Sequence, residues 1–130
     1  MGNSYLLLGA AGALGTWARV GLSQGLSQWT GWSFPVGTLS ANVLGSFAFG
    51  CLWAAARDGD WLSEETRRIL CLGFLGAFTT FSTFAFDNGQ AWKNGEYSLL
   101  LGNLLLNNLL GIGAVLLGLR LFARSAAIGA

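Results

Sequence analysis

Residues 73–84 read Gly-Phe-Leu-Gly-Ala-Phe-Thr-Thr-Phe-Ser-Thr-Phe, set inside a longer apolar stretch from Ile69 to about Trp92. The stretch is long enough to cross a membrane, yet glycine and β-branched threonine are both poor helix formers. Four hydroxyl side chains, Thr79, Thr80, Ser82 and Thr83, are crowded into its middle. They are suited to pair with backbone groups that a break in the helix would free. Irregular backbone at bilayer depth is tolerated only where it is buried in protein or lines a cavity. The run therefore reads as a broken membrane helix, a device by which transport proteins build ion sites. Phe81 and Phe84, three apart, place their rings on one side of a helix. A phenylalanine packing ridge is the alternative reading of that pair.

The composition agrees with a membrane setting. Only 10% of the 130 residues are charged, against roughly 25% in soluble domains, too few to face water on every side. Mean hydropathy is +0.54. The 20 glycines are about twice the ordinary share of roughly 7%, as closely packed membrane helices require. No histidine is present, which removes His-based acid–base catalysis and most zinc or non-haem iron sites. The net charge of +1 carries no electrostatic footprint for nucleic acid. Cys51 and Cys71 lie in apolar runs without metal-like spacing and read as core fillers.

Outward from the third stretch, three further apolar segments complete a single membrane domain over residues 1–130. The four spans run at about 5–26, 36–56, 69–92 and 98–122, each near the length that crosses a hydrocarbon core of roughly 30 Å. No signal peptide is expected, because the start lacks a basic region and the first segment is too long. Trp29, Trp32, Trp61 and Trp92 fall at span ends, as an interfacial belt would. A soluble bundle would need charged outer faces, and none of the segments has one. Four spans put both termini on one side, together with Arg57, Arg67, Arg68, Arg120 and Arg124, against Lys93 alone on the other. The bias favours cytoplasmic termini.

Polar groups inside spans are costly and mark functional candidates. In the first span Gly9, Gly12 and Gly15 form a small-residue face, and Arg19 sits well inside, lining a wet vestibule or snorkelling to the interface. In the second, Thr38, Asn42 and Ser46 share one face at four-residue spacing. Hydroxyls can bond back to helix carbonyls, but Asn42 does so less easily and presents two donors. It is either a pore donor or hydrogen-bonding glue between helices. The fourth span carries Asn103, Asn107 and Gly111 as a second stripe, with Asn108 beside it, expected to face the phenylalanines of the third. Asp87 is the only carboxylate within these spans.

Three stretches, GALGTWAR at 12–19, GTLSANVLGSFAFG at 37–50 and GFLGAFTTFSTF at 73–84, resemble the CrcB, or Fluc, family of fluoride channels. With the glycine-rich fourth span the resemblance covers nearly the whole chain. It implies an all-α, four-helix protein of the inner (plasma) membrane, assembled as an antiparallel dual-topology homodimer with two fluoride pores and a central structural sodium ion. It also implies that Phe81 and Phe84 are the pore phenylalanines, Asn42 the pore asparagine, and Ser82 and Thr83 the hydroxyls beside them. Thr38, Asn103 and Asn107 would line the same path, with Arg19 and Asp87 in its vestibules. The backbone carbonyls of Gly76 and Thr79 would hold the sodium. Asn103 and Asn107 stand where the family often carries Tyr and Ser, and Asp87 where glutamate is common. Dual topology asks for unbiased flanking charge. The bias is therefore either too weak to fix insertion, the preferred reading, or the mark of one member of a paired, fixed-orientation set.

The residues themselves suit fluoride. A small, strongly hydrated anion needs donors in place of its water, and amides and hydroxyls supply them without the trap of a fixed positive charge. Ring edges are the positive part of the aromatic quadrupole and support a dehydrated anion weakly enough to release it. Two rivals are a small proton-coupled multidrug exporter, which needs a buried glutamate that the first span lacks, and a non-transport assembly subunit. The latter leaves both polar stripes unexplained. An enzyme is not expected, since no nucleophile–base pair or metal cluster is present.

Overall fold

The computed structural model of the chain describes residues 2–57 and 62–128, with side chains as far as residue 122. Among the described residues every regular element is helical. Helix α1 is Gly2–Thr30 and α2 is Val36–Arg57. The third segment is composite. It contains α3 (Glu64–Arg68), a π-helical stretch Ile69–Leu75, α4 (Gly76–Phe78), then Thr79 and Thr80 in extended backbone, and α5 (Phe81–Lys93). Helix α6 is Tyr97–Ile128. Four helical stretches, Gly2–Thr30, Val36–Arg57, Glu64–Lys93 and Tyr97–Phe122, are long and apolar enough to cross a membrane. The chain is an all-α, multi-pass membrane protein.

The helices overrun the boundaries expected from polarity because local hydrogen bonds, not polarity, stop them. Helix α1 continues past Leu26 through a polar turn in which Thr30 Oγ1 donates to the Leu26 carbonyl at 2.8 Å. It stops at Gly31, whose φ of +62° is open to glycine. The third segment starts at Glu64 because Ser63 Oγ accepts from the Thr66 amide at 3.1 Å. Glu64 and Glu65 then sit at the positive end of that short helix and Arg67 and Arg68 at its negative end. Helix α5 ends in a Schellman motif about Gly95 (φ +74°), with Glu96 N–H donating to Ala91 O at 2.8 Å and Gly95 N–H to Trp92 O at 3.1 Å. Trp29, Trp32 and Trp92 are exposed at their helix ends. Trp61, Asp58 and Asp60, and the side chain of Arg124, lie outside the described residues.

Packing is inside-out relative to a soluble bundle. Leucines along α1 and α6, among them Leu6, Leu14, Leu105, Leu109 and Leu116, point outward, whereas the buried set includes Thr38, Asn88 and Asn103. The chain exposes 8474 Å² at 13.7 kDa, where a compact soluble monomer of that mass exposes about 6,600 Å². Small residues bring the backbones together. A Cβ at Gly15 would collide with the Phe74 backbone of the π-helical stretch, and one at Gly73 would crowd Ala11 and the Leu8 carbonyl. Between α2 and α6 the contact is reciprocal. A Cβ at Gly50 would strike the Val115 carbonyl, and one at Gly118 the Phe47 carbonyl and Cys51 amide. Of the glycine face expected on α1, Gly12 and Gly15 meet the third segment, whereas Gly9 faces open space.

This packing makes a stability prediction. Gly50→Ala drives a methyl into a carbonyl and is expected to cost about 1–3 kcal/mol. Thermal unfolding in detergent should fall accordingly. Gly25→Ala, where nothing lies near the added atom, should not lower it.

Candidate functional site

The site is built around the two extended residues of the third segment. Thr79 N–H and Thr79 Oγ1 both donate to the Leu75 carbonyl at 2.9 Å. The chain then straightens through Thr79 (φ −81°, ψ 157°) and Thr80 (φ −150°, ψ 114°) before helix resumes at Phe81. Thr80 caps the new helix: its Oγ1 accepts from the Thr83 amide at 3.2 Å and donates to Thr83 Oγ1 at 3.0 Å. Other elements reach in to the interrupted backbone. Arg19 Nε of α1 donates to the Ala77 carbonyl at 3.1 Å. Asn42 of α2 grips the Thr80 backbone at both of its polar atoms. Thr80 N–H donates to Asn42 Oδ1 at 2.8 Å, and Asn42 Nδ2 donates to the Thr80 carbonyl at 3.2 Å.

From Asn42 an amide chain runs through the polar interior. Asn42 Nδ2 donates to Asn107 Oδ1 at 2.9 Å, and Asn107 Nδ2 donates to Asn103 Oδ1 at 2.7 Å and to the Asn103 carbonyl at 3.2 Å. Asn103 Nδ2 donates to Asn88 Oδ1 at 3.1 Å. The stripe of α6 thus meets the stripe of α2 and, through Asn88, helix α5; Asn103 itself is fully buried. Thr38 Oγ1, also buried, donates to Asp87 Oδ2 at 3.1 Å. Asn108 turns away and bonds its own helix at the Leu104 carbonyl. Arg19 contacts the interrupted segment directly through Ala77.

The phenylalanines differ in setting. Their ring centroids are 5.7 Å apart with planes tilted by 53°. Phe84 is buried, whereas Phe81 is 78% exposed on the outside of the single chain. A cleft of about 320 Å³ opens at the interruption, lined by Asn42, Ser46, Gly76, Thr79, Thr80 and Phe81 among others. Ser82 is exposed and within 3.4 Å of Thr80 Oγ1. Among the described residues no group of three or more His, Cys, Asp or Glu side chains could hold a metal. Any cation here would rest on neutral oxygens.

Asn88 was not singled out from the sequence, and Thr80 was named only among the four hydroxyls suited to freed backbone groups. Thr80 carried a signal, since a threonine directly before a resuming helix is a natural N-cap. Asn88 is an amide in a span, four residues after Phe84 and thus on its face. Its place next to Asp87 drew attention to the carboxylate instead.

Comparison with known proteins places this geometry. Residues 6–119 match the family model described as CrcB-like protein, Camphor Resistance (CrcB). A fluoride-specific ion channel FluC of Desulforapulum autotrophicum is 40% identical over 119 residues, covering 92% of this chain and 95% of that protein. The protein of the same name from Solidesulfovibrio magneticus is 45% identical over 111 residues, 85% of this chain and 89% of the relative. That from Nitrosococcus oceani is 46% identical over 112 residues, 86% and 87% of the two chains. The matched region takes in both polar stripes, the interrupted segment and the phenylalanine pair, and this chain belongs to the CrcB-like family.

Proposed function

We propose that the chain is a fluoride-selective channel that lets fluoride leave the cell passively through the inner membrane. The observation that carries the reading is an uncharged donor set, amides and hydroxyls, gathered beside a tilted aromatic pair inside an apolar bundle. Fluoride gives up hydration only to groups that donate hydrogen bonds, and neutral donors bind it without holding it. Thr38, Asn42, Ser82, Thr83, Asn103 and Asn107 form the polar side of the path. Phe81 and Phe84 form the aromatic side and present ring edges, whose partial positive charge supports an anion without a counter-ion. Arg19 and Asp87 belong to the vestibules. The chain is a channel and not an enzyme. The exporter reading needs a carboxylate in the first span, and α1 has none.

The third segment acts as a broken helix, and the working unit is an antiparallel, dual-topology homodimer with two pores. Exposure of Phe81 on the outside of one chain supports this, because a ring that lines a closed path needs a second copy to cover it. Sodium fits the interrupted segment by donor chemistry. The Thr79 amide and hydroxyl are both engaged with Leu75, and the carbonyls of Gly76 and Thr79 are the oxygens that the family resemblance implies for a cation. Two from each copy would give a neutral set suited to a hard monovalent ion, as unwound carbonyls serve in transporters. Such an ion would tie the subunits together outside the permeation path.

Liposomes loaded with fluoride or chloride test the central reading. The reconstituted protein should release fluoride without a proton gradient and retain chloride; equal release of both halides defeats it. Phe81→Ile and Phe84→Ile keep apolar volume but remove the ring edge, and each should cut fluoride flux severely while size-exclusion elution stays normal. Exchange of all sodium for N-methylglucamine should weaken the dimer, read by loss of cross-linkable pairs. An undiminished dimer in sodium-free buffer speaks against the ion.

A further inference from the structure

The amide chain has a direction, and the direction is fixed by the backbone. A side-chain amide can usually be turned over without penalty, which exchanges donor and acceptor. Asn42 cannot be turned. The Thr80 N–H it faces only donates and the Thr80 carbonyl only accepts, so Oδ1 and Nδ2 of Asn42 are each assigned by a peptide group. Asn42 Nδ2 then requires an oxygen from Asn107, which leaves Asn107 Nδ2 facing Asn103. A second backbone acceptor, the Asn103 carbonyl, agrees with that orientation. Asn103 must answer with Oδ1, which turns its Nδ2 to Asn88, and Asn88 must answer with its own Oδ1. Every amide donates the same way, from the Thr80 peptide to Asn88. The last donor in the series, Asn88 Nδ2, is buried and has no partner, the only such side-chain atom among the described residues.

An orphaned amide donor inside a protein is costly, and a native structure that keeps one gives it an acceptor from outside the chain. Here the donor ends a chain of polarised amides, each strengthening the next, so the acceptor it best accommodates is one that carries negative charge. We infer that the side-chain amide of Asn88 is a fluoride-binding donor at the far end of the Asn42–Asn107–Asn103 chain, a site distinct from the Phe81–Phe84 pair. The inference rests on the fluoride-channel reading and adds a residue of this chain to it. The Asn88 side chain is closely covered, 8% exposed, and bonded across to α6, a setting that favours a small anion over larger halides. The chain of amides also couples the site to the interrupted segment. An anion on Asn88 pulls the amide dipoles in the sense that tightens the grip of Asn42 on Thr80.

The experiment compares Asn88→Asp and Asn88→Leu with the unaltered protein in the same fluoride-efflux assay, at alkaline pH so that the introduced carboxyl is ionised. Asn88→Asp keeps the oxygen that Asn103 needs but replaces the free donor with a negative charge, whereas Asn88→Leu removes oxygen and donor and adds no charge. Both should lose about tenfold or more in flux at low fluoride, the effect of one lost hydrogen bond to a charged partner. Side-chain amide resonances of the 15N-labelled unaltered protein, assigned by the one pair lost in whichever Asn88 variant keeps the remaining spectrum, give a readout on the unaltered protein itself. The Asn88 amide protons should shift on addition of sodium fluoride and stay in place with sodium chloride. Unaltered flux in Asn88→Asp with a defect in Asn88→Leu makes Asn88 purely structural and overturns the inference. An Asn88 amide silent to fluoride overturns it too. If the unaltered protein passes no fluoride at all, the channel reading itself falls.

Discussion

Backbone polar groups inside a bilayer have no water to turn to, and the structure depends on how those of one residue, Thr80, are satisfied. Both of its polar atoms leave the helical pattern, and both are held by a single amide from another helix. Without Asn42 the N–H and carbonyl of Thr80 would be left with unmet hydrogen bonds at membrane depth, at several kcal/mol for each group. The grip therefore makes the interruption of the third segment tolerable. It also fixes the rotamer and the polarity of Asn42, and with them the orientation of Asn107 and Asn103.

The rest of the bundle serves that one departure from helix. The π-helical stretch Ile69–Leu75 precedes it, a form often found at functional sites. Gly15 and Gly73 let α1 lie directly against this stretch, which brings Arg19 to the Ala77 carbonyl that the interruption leaves without a helical amide. The reciprocal contact of Gly50 and Gly118 holds α2 and α6 at backbone distance. Only at that separation can Asn42 and Asn107 touch. Close packing and polar satisfaction are thus one arrangement, since bulkier residues between the helices would separate the amides.

The chemistry follows from tying down the charges that lie inside the spans. Arg19 is tied to a carbonyl and Asp87 to Thr38, which leaves neutral donors between them. Such donors suit an anion that must be bound, stripped of water and released. A fixed ammonium in their place would hold it.

Composition and the four apolar stretches determined the membrane class and the number of spans, because predominantly apolar stretches of about twenty residues with few charges match the thickness of a bilayer. The third stretch announced its irregularity through glycine and threonine, whose poor helix propensity is a local property. The stripes on the second and fourth spans were legible from four-residue spacing for the same reason. What the sequence left open was which groups those stripes serve. Asn42 read as a pore donor with interhelical glue as the alternative, and Asn88 went unnoticed beside Asp87. Partners of a side-chain amide come from other helices, and their identity depends on rotation and separation that no spacing encodes. Tertiary structure alone decided that Asn42 faces the Thr80 peptide, that the fourth-span amides turn toward α2 and α5, and that Phe84 is buried while Phe81 is not. Hydrogen bonds are directional and short, so each of these choices was made only when the backbones met.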